Sequence, residues 1–432
     1  MNKKISTESY KGVRDFYPED MFVEKFIWNT WRTVCERFGY VEYNASILEP
    51  AELYKAKSGE EIVNEQTYTF TDRGDREVTL RPEMTPTVAR MVAGKQHDLI
   101  FPLRWFSIPN LFRYEKPQRG RLREHWQLNV DMFGVDSGEA DMEILSVAHA
   151  IMRQFGAQEN DFSIRINSRK LMQDVYAHFK LNEDQSYKVS KIIDKKDKIP
   201  ADVFLASLTE VMGDTAGQLT DILSSNERLL DTLGKDNKNV VALLNTIETL
   251  EKSGIKNLEF NPTLMRGFDY YTGMVFEVFD TNTENPRSVF GGGRYDDLLD
   301  IFDARKVPAV GFGAGDVTIR DFLETHKLLP AYKATTDIYI CTLGAEFAEH
   351  ARELADILRK PSEKYPYGLN VALDLSGKKI GDQIKIASKQ SIPFTLVVGS
   401  DEIASGLYPV KNLSDGVEKK VKVEEVADVV RK

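Results

Sequence analysis

Near the N-terminus apolar residues recur at intervals of three and four. Phe26, Ile27, Trp31, Val34, Cys35 and Phe38 fall on one stripe of a helix packed on a core, and Gly39 ends it. Beyond Gly39 the spacing changes to short β-branched or aromatic runs bounded by turn formers, at 67–72, 77–83, 103–115, 126–134 and 269–280. Many strands without regular helix alternation predict an α+β unit, a mainly antiparallel sheet flanked by helices.

From residue 170 to 258 strand character fades and helical spacing takes over, as in NVVALLNTIETLEK. The stretch reads as a helical insertion; the alternative is the second half of a single α+β core. Past Pro330 the pattern becomes strand, helix, strand, helix, strand, which predicts a separate α/β domain with parallel pairing. The expected division is therefore 1–330, containing the 170–258 insertion, and 335–432.

Composition narrows the function classes. Of 432 residues 42% are hydrophobic and 29% charged, as in a soluble globular protein. The net charge of −10 argues against a binder that relies on blanket phosphate neutralisation. Cys35 and Cys341 have no partner Cys or His nearby, so neither a disulfide framework nor a zinc motif is indicated. The opening MNKKISTESYKG lacks a signal-peptide core, and no apolar run is long enough to cross a bilayer. A cytoplasmic protein without a membrane partner is expected.

Local chemistry stands out against this background. RYEKPQRGRLRE, residues 113–124, holds Arg113, Lys116, Arg119, Arg121 and Arg123 against Glu115 and Glu124, a net +3. It reads as a basic hairpin that holds Arg113 over a phosphate while a mobile tip with Arg119, Arg121 and Arg123 follows a nucleotide or an RNA end. Taken alone, a strand arginine is more often a surface ion pair, and such a run is as often a solvated loop. In MRGFDYYTGMVFEV, Tyr270 and Tyr271 point to opposite faces if the segment is extended, one to the core and one to a pocket near Arg266; two core tyrosines are the plainer alternative. FGGGRYDDLL, residues 290–299, reads as a glycine turn entering a helix, where backbone N–H groups approach a ligand, although its spacing matches neither dinucleotide nor P-loop motifs.

Taken together and in order, these segments resemble the class II aminoacyl-tRNA synthetases, and RGFDYYTG resembles the signature of the histidyl-tRNA synthetase family. The likeness runs from KGVRDFYPED (11–20) through TLRPEMTPTVAR (79–90), the hairpin, RGFDYYTG (266–273) and GGGRYDDLL to AVGFGAGD (309–316). It implies a class II catalytic domain followed by an anticodon-binding domain, with histidine, ATP with Mg²⁺, and tRNA(His) as substrates, in a homodimer.

Residue by residue, the resemblance implies that Glu83, Thr85 and Gln127 bind the α-amino group, and that Asp131 and Tyr271 read the imidazole, with Tyr270 and Arg266 also at the histidine. Arg113 and Arg266 would be the catalytic pair bracketing the α-phosphate, with Glu115, Arg121, His125, Gly313 and Gly315 as further ATP contacts. No metal held by the protein alone is implied. Gln118, Arg119 and Arg123 would meet the tRNA acceptor end, and the insertion would clamp the acceptor stem. Thr318 stands where the class normally has an ATP-binding arginine. Either Arg320 substitutes from the next helical turn, or Arg121 and His125 take over, or activity is reduced. The rival from another class is the non-catalytic regulatory relative of this family, which usually lacks RGFDYYTG and the anticodon-type domain.

Overall fold

A computed structural model describes residues 5–55, 66–265, 270–285 and 287–431. The chain divides into two compact units, Met1–Leu329 and Pro330–Lys432.

The first unit begins with the helix Pro18–Arg37. Proline opens it, Glu19 and Asp20 lie in its first turn and Arg37 in its last, in keeping with the helix dipole. Ile27, Trp31, Val34 and Cys35 are fully buried along its inner stripe. Twelve strands follow among the described residues: β1 (Val41–Glu42), β2 (Leu48–Pro50), β3 (Tyr68–Thr71), β4 (Glu77–Leu80), β5 (Leu103–Ser107), β6 (Asn110–Phe112), β7 (Glu124–Phe133), β8 (Phe162–Ser168), β9 (Leu258–Phe260), β10 (Met274–Asp280), β11 (Ser288–Arg294) and β12 (Ala309–Gly315). The main sheet has the order β1-β5-β7-β12-β11-β10-β8-β9, with β6 pairing β7 off this path, and β2-β4-β3 form a small second sheet. Every pairing from β5 to β8 across the centre is antiparallel, and the two parallel pairs, β1 with β5 and β8 with β9, lie at the edges.

Alternation along the central strands gives the sheet two different faces. Leu128, Val130 and Met132 of β7, Val310, Phe312 and Ala314 of β12, Phe290 of β11 and Phe276 of β10 join the hydrophobic core, which also takes in Trp31 of the first helix and Ile144, Ala148 and Ile151 of the helix Gly138–Gln154. The other face carries Gln127, Asn129 and Asp131 on β7, Gly311 and Gly313 on β12, and Gly291 and Gly293 on β11. Their register sets Asp131 beside Gly311 and Gly311 beside Gly293, so a carboxylate is followed by two positions without side chains. The result is a hollow in the floor.

Between β8 and β9 the chain is helical, in six α-helices running from Arg169–His178 to Lys238–Lys252. Asn182, Ser168, Ser225 and Asn237 cap four of them through their side chains. Because β8 and β9 pair in parallel, this segment is a long crossover connection. Its buried Val189, Phe204, Leu208, Leu229 and Val240 are continuous with the main core.

Two expectations need correction here. The glycine triplet does not turn into a helix: Gly291, Gly292 and Gly293 lie inside β11, paired on both sides. The run 103–115 is not one strand, since it breaks between β5 and β6 at Ile108 and Pro109, where proline has no N–H to offer the ladder.

The second unit has one five-stranded sheet, ordered β14-β13-β15-β16-β17, from β13 (Ile338–Thr342), β14 (Val371–Leu373), β15 (Phe394–Val398), β16 (Tyr408–Asn412) and β17 (Glu418–Val421). The first three strands are parallel, linked through the helices Ala348–Arg359 and Ile380–Lys389, and the last two add antiparallel. The closing hairpin is an addition to the expected β-α-β-α-β pattern. Glu418, Lys419 and Lys420 of β17 are exposed, so no apolar alternation announces that strand.

Candidate active site

Above the glycine floor lies a small chamber of about 100 Å³, lined by Glu83, Thr85, Arg113, Gln127, Asn129, Asp131, Tyr270, Tyr271, Tyr295 and the backbone of Gly291, Gly311 and Gly313. A second chamber of about 270 Å³ continues outward past Arg113, Glu115, Arg121, His125, Gly315 and Thr318. Arg113, Gln127, Gly291 and Gly313 border both.

Two of the glycines are sterically required. A Cβ on Gly311 would stand 2.4 Å from both Asp131 Oδ1 and the Val130 carbonyl oxygen, and one on Gly313 would stand 2.4 Å from Gln127 Nε2. A Cβ on Gly293 would meet the Met274 carbonyl at 2.5 Å and the Tyr271 ring at 2.9 Å. At Gly311 and Gly293 the backbone oxygens leave no room for a side chain, whereas at Gly313 only the end of the Gln127 side chain would have to move, so the hollow depends most on Gly311 and Gly293.

The polar groups of the inner chamber are held from several elements. Glu83, just before the helix Thr85–Gly94, is buried and accepts a hydrogen bond from the Tyr270 hydroxyl at 3.3 Å. Gln127 donates to Asn129 Oδ1 at 2.6 Å, and Asn129 Nδ2 returns to the Gln127 carbonyl at 3.0 Å, fixing both amides on β7. Asp131 accepts from the Tyr295 hydroxyl, and burial pushes its carboxyl up to about 7, the hydroxyl pulling it back part of the way. Tyr295 itself is driven well above the usual phenol range by burial and by the facing carboxylate, so it remains a donor. The Tyr270 ring packs against Tyr271 at 4.9 Å and against Tyr295 at 5.9 Å.

In the outer chamber Arg113 Nε donates to the Pro82 carbonyl at 2.9 Å, which fixes the guanidinium plane. Among the described residues Arg113 has no carboxylate within ion-pair distance. Arg121 pairs with Glu115 at 3.4 Å. His125 is held down to about 3 by burial first, then by the positive charges of Arg113 and Arg14, so its ring is neutral at physiological pH. Among the described residues no group of three or more His, Cys, Asp or Glu side chains is arranged to hold a metal ion.

The sequence-expected residues fall into three sets. Glu83, Thr85, Asp131, Tyr270 and Tyr271 line the inner chamber; Glu115, Arg121, His125 and Gly315 line the outer one; Arg113, Gln127 and Gly313 border both. Gln118 and Arg119 sit at the hairpin tip, beside a neighbouring cavity. Arg266 lies outside the described residues.

Two placements differ from expectation. Tyr270 and Tyr271 do not split between core and pocket: both precede β10, and both line the inner chamber. Arg123 is not at the tip but buried at the hairpin base, stacked 4.0 Å from the Tyr114 ring and bonded to the carbonyls of Glu115 and Lys11 and to the Tyr10 hydroxyl. Arg320 turns away from both chambers and pairs with Asp20 at 3.0 Å and Glu324 at 3.1 Å, with Glu24 at 3.9 Å. Thr318 reaches the outer chamber but donates to the Val289 carbonyl at 2.6 Å. Tyr295 and Asn129 were missed; the register of Asn129, two residues from both Gln127 and Asp131, was the available signal for the latter.

Comparison with known proteins bears on this geometry. A family model described as histidyl-tRNA synthetase matches residues 12–316, and one described as an anticodon binding domain matches residues 337–432. The histidine–tRNA ligase of Leptospira biflexa is 43% identical over 419 residues, covering 95% of this chain and 94% of its own length. That of Thermoplasma volcanium is 36% identical and covers 99% of both. The crystal structure of histidyl-tRNA synthetase from Nostoc sp. PCC 7120 shares the fold, with a TM-score of 0.83 over 99% of both chains at 23% identity.

Proposed function

Since the chain belongs to the histidyl-tRNA synthetase family, we propose that it is a histidine–tRNA ligase that joins histidine to AMP, releasing pyrophosphate from ATP, and then transfers the histidyl group to the 3′ end of tRNA(His). The single observation that supports this most is a buried carboxylate, Asp131, in a tyrosine-lined, imidazole-sized chamber that opens at Arg113 into a larger one.

A neutral imidazole has one N–H and one bare nitrogen. Asp131 accepts from the first and the Tyr271 hydroxyl donates to the second, so an isostere lacking either group leaves a buried polar atom unpaired. Glu83, Thr85 and Gln127 receive the α-ammonium group. This orients the substrate carboxylate toward Arg113.

In the activation step a carboxylate oxygen of histidine attacks the α-phosphorus in line, an acyl-phosphate bond forms, and the bond to the β-phosphate oxygen breaks as pyrophosphate leaves. No side-chain nucleophile takes part. Arg113, oriented by Pro82, stabilises the charge growing on the α-phosphate oxygens, and Arg266 is assigned the opposite side of the same phosphate. Glu115, Arg121, His125 and the backbone at Gly313 and Gly315 hold the nucleotide. Arg121 and the neutral His125, rather than Arg320, take the place left by Thr318. Mg²⁺ would enter with ATP as part of the substrate and would supply charge neutralisation on the leaving phosphates. In the second step a ribose hydroxyl of the tRNA attacks the histidyl carbonyl and AMP departs.

Gln118 and Arg119 approach the acceptor end, the helical crossover clamps the acceptor stem, and the second unit binds the anticodon region. A few placed contacts of this kind reconcile an RNA substrate with a net charge of −10. The exposed Val41, Ile47, Leu48 and Phe70 on β1 to β3 and their connections suit burial against a second copy in a homodimer. A cytoplasmic location fits this role in translation.

Pyrophosphate exchange into ATP with each amino acid, followed by charging of total tRNA, tests the proposal. Exchange with histidine alone and charging of one tRNA species are expected. Exchange with another amino acid would move the specificity elsewhere, and none at all would favour the non-catalytic regulatory relative.

A further inference from the structure

The hairpin that carries Arg121 is closed at its tip by one small bridge, between Gln118 and Arg121, with N···O distances of 3.1 and 2.9 Å. Such a tip is mobile unless something holds it. Contacts from Arg287 and Asp321, two residues with no place in the chemistry above, and the packing of Gly120 do so.

Arg287, in the connection between β10 and β11, donates to the Arg119 carbonyl at 3.4 Å and to Gln118 Oε1 at 3.3 Å. Asp321, on the helix Asp316–Thr325, faces the Arg119 guanidinium at 3.9 Å. Gly120, with φ +76°, lies over that same helix, where a Cβ would be 3.6 Å from Thr318 Cγ2 and 3.8 Å from Asp321 Oδ2. The tip therefore packs on the helix near Thr318 and Asp321.

The connection bearing Arg287 is itself anchored to the far end of the helix. Asn285 donates to Asp280 Oδ2 at 2.7 Å and to Thr325 Oγ1 at 2.9 Å, and His326 lies 2.8 Å from Asp280 Oδ1. Asn285 thus meets the end of the helix, and Arg287 meets the hairpin tip. Just beyond the tip, Arg121 enters the outer chamber.

We propose that Arg287 and Asp321 are positioning residues that clamp the hairpin tip on the helix Asp316–Thr325, so that Arg121 is already placed over the nucleotide chamber when ATP arrives. This rests on the ligase reading for what the chamber binds. Placing a charged side chain in advance lowers the cost of ordering it on binding. Neither clamp residue borders the inner chamber, so the benefit falls on ATP and not on histidine.

The test is steady-state pyrophosphate exchange on the full chain, with KM for ATP and for histidine measured separately, alongside trypsin cleavage of the hairpin without ligand. Arg287→Ala should raise the KM for ATP by about threefold to tenfold and leave that for histidine within about twofold. Arg287→Lys should recover part of the loss, and Asp321→Asn, which weakens a single exposed pair, should cost about twofold. Both alanine and asparagine variants should be cut faster after Arg119 or Arg121. An unchanged KM for ATP, or an equal rise in both KM values, would overturn the clamp. If the wild-type protein shows no histidine-dependent exchange, the ligase reading fails, and the cleavage rates still decide the clamp: faster cutting sustains it and unchanged cutting overturns it.

Discussion

The inner and outer chambers share a border at Arg113, yet they are made of different material. The inner one is cut into the centre of an antiparallel sheet, with Gln127, Asn129 and Asp131 on a strand paired on both sides and glycines as its floor. Its acceptor is buried and its tyrosines pack ring against ring. The outer one is walled by a hairpin held at its tip by one exposed ion pair and by hydrogen bonds from Arg287, and its Arg121 is half in water. Rigid, dry surroundings suit discrimination between small side chains, because an unpaired polar group there is costly. A charged, adjustable wall suits a triphosphate, which must enter, react and leave.

The contrast is broken most severely by filling the floor. Gly311→Ala places a methyl group against Asp131 and the Val130 carbonyl, and histidine-dependent exchange should fall below detection. Overpacking should also lower stability by about 1–3 kcal/mol, seen as an earlier melting transition. Normal histidine affinity in this variant would show that the hollow is not the binding site.

Next in size is Arg113→Ala. Loss of a preorganised donor at the reacting phosphate should cut the exchange rate by about 10²–10³-fold in folded protein. A smaller effect follows from Tyr295→Phe, which removes a hydrogen bond to the Asp131 carboxylate and should raise the KM for histidine about tenfold or more.

The same pair carries a pH signature. With the Asp131 carboxyl raised to about 7 by burial, the KM for histidine should climb as pH falls below about 7, and in Tyr295→Phe the climb should begin at higher pH. Free histidine titrates in the same range, so Asp131→Asn supplies the profile without the carboxyl. Stability follows the linkage sign. A folded-state value above the unfolded 3.8 means that the contribution of Asp131 is complete below about 4 and is lost as pH rises through about 7. Asp131→Asn should flatten that slope in denaturation curves.

The smallest effect is expected from Arg320→Ala. Its partners lie on the first helix and on its own, so exchange should stay within about twofold of wild type. A large drop in ATP affinity would restore Arg320 as the replacement for the arginine absent at 318.

Much of this was legible in the chain. The three-and-four spacing of Ile27, Trp31 and Val34 marks the inner face of the first helix, because burial on one side imposes that period. The glycines of β11 were not legible, since glycine reads as a turn unless one knows that neighbouring strands leave no room for a Cβ. Arg123 looked like its hairpin neighbours, and only the path of the N-terminal segment past Tyr10 and Gly12 reveals it as a packing residue. An extended backbone would put Tyr270 and Tyr271 on opposite faces, whereas both precede β10, which starts at Met274.

The division between the chambers is tested most directly by calorimetric titration of histidine and of ATP, each alone, into wild-type protein, Asp131→Ala and Arg121→Ala. Asp131→Ala should lose histidine binding and keep ATP binding, and Arg121→Ala should weaken ATP while leaving histidine unaffected. Loss of both ligands together in either variant, or of neither, would contradict two separately built sites.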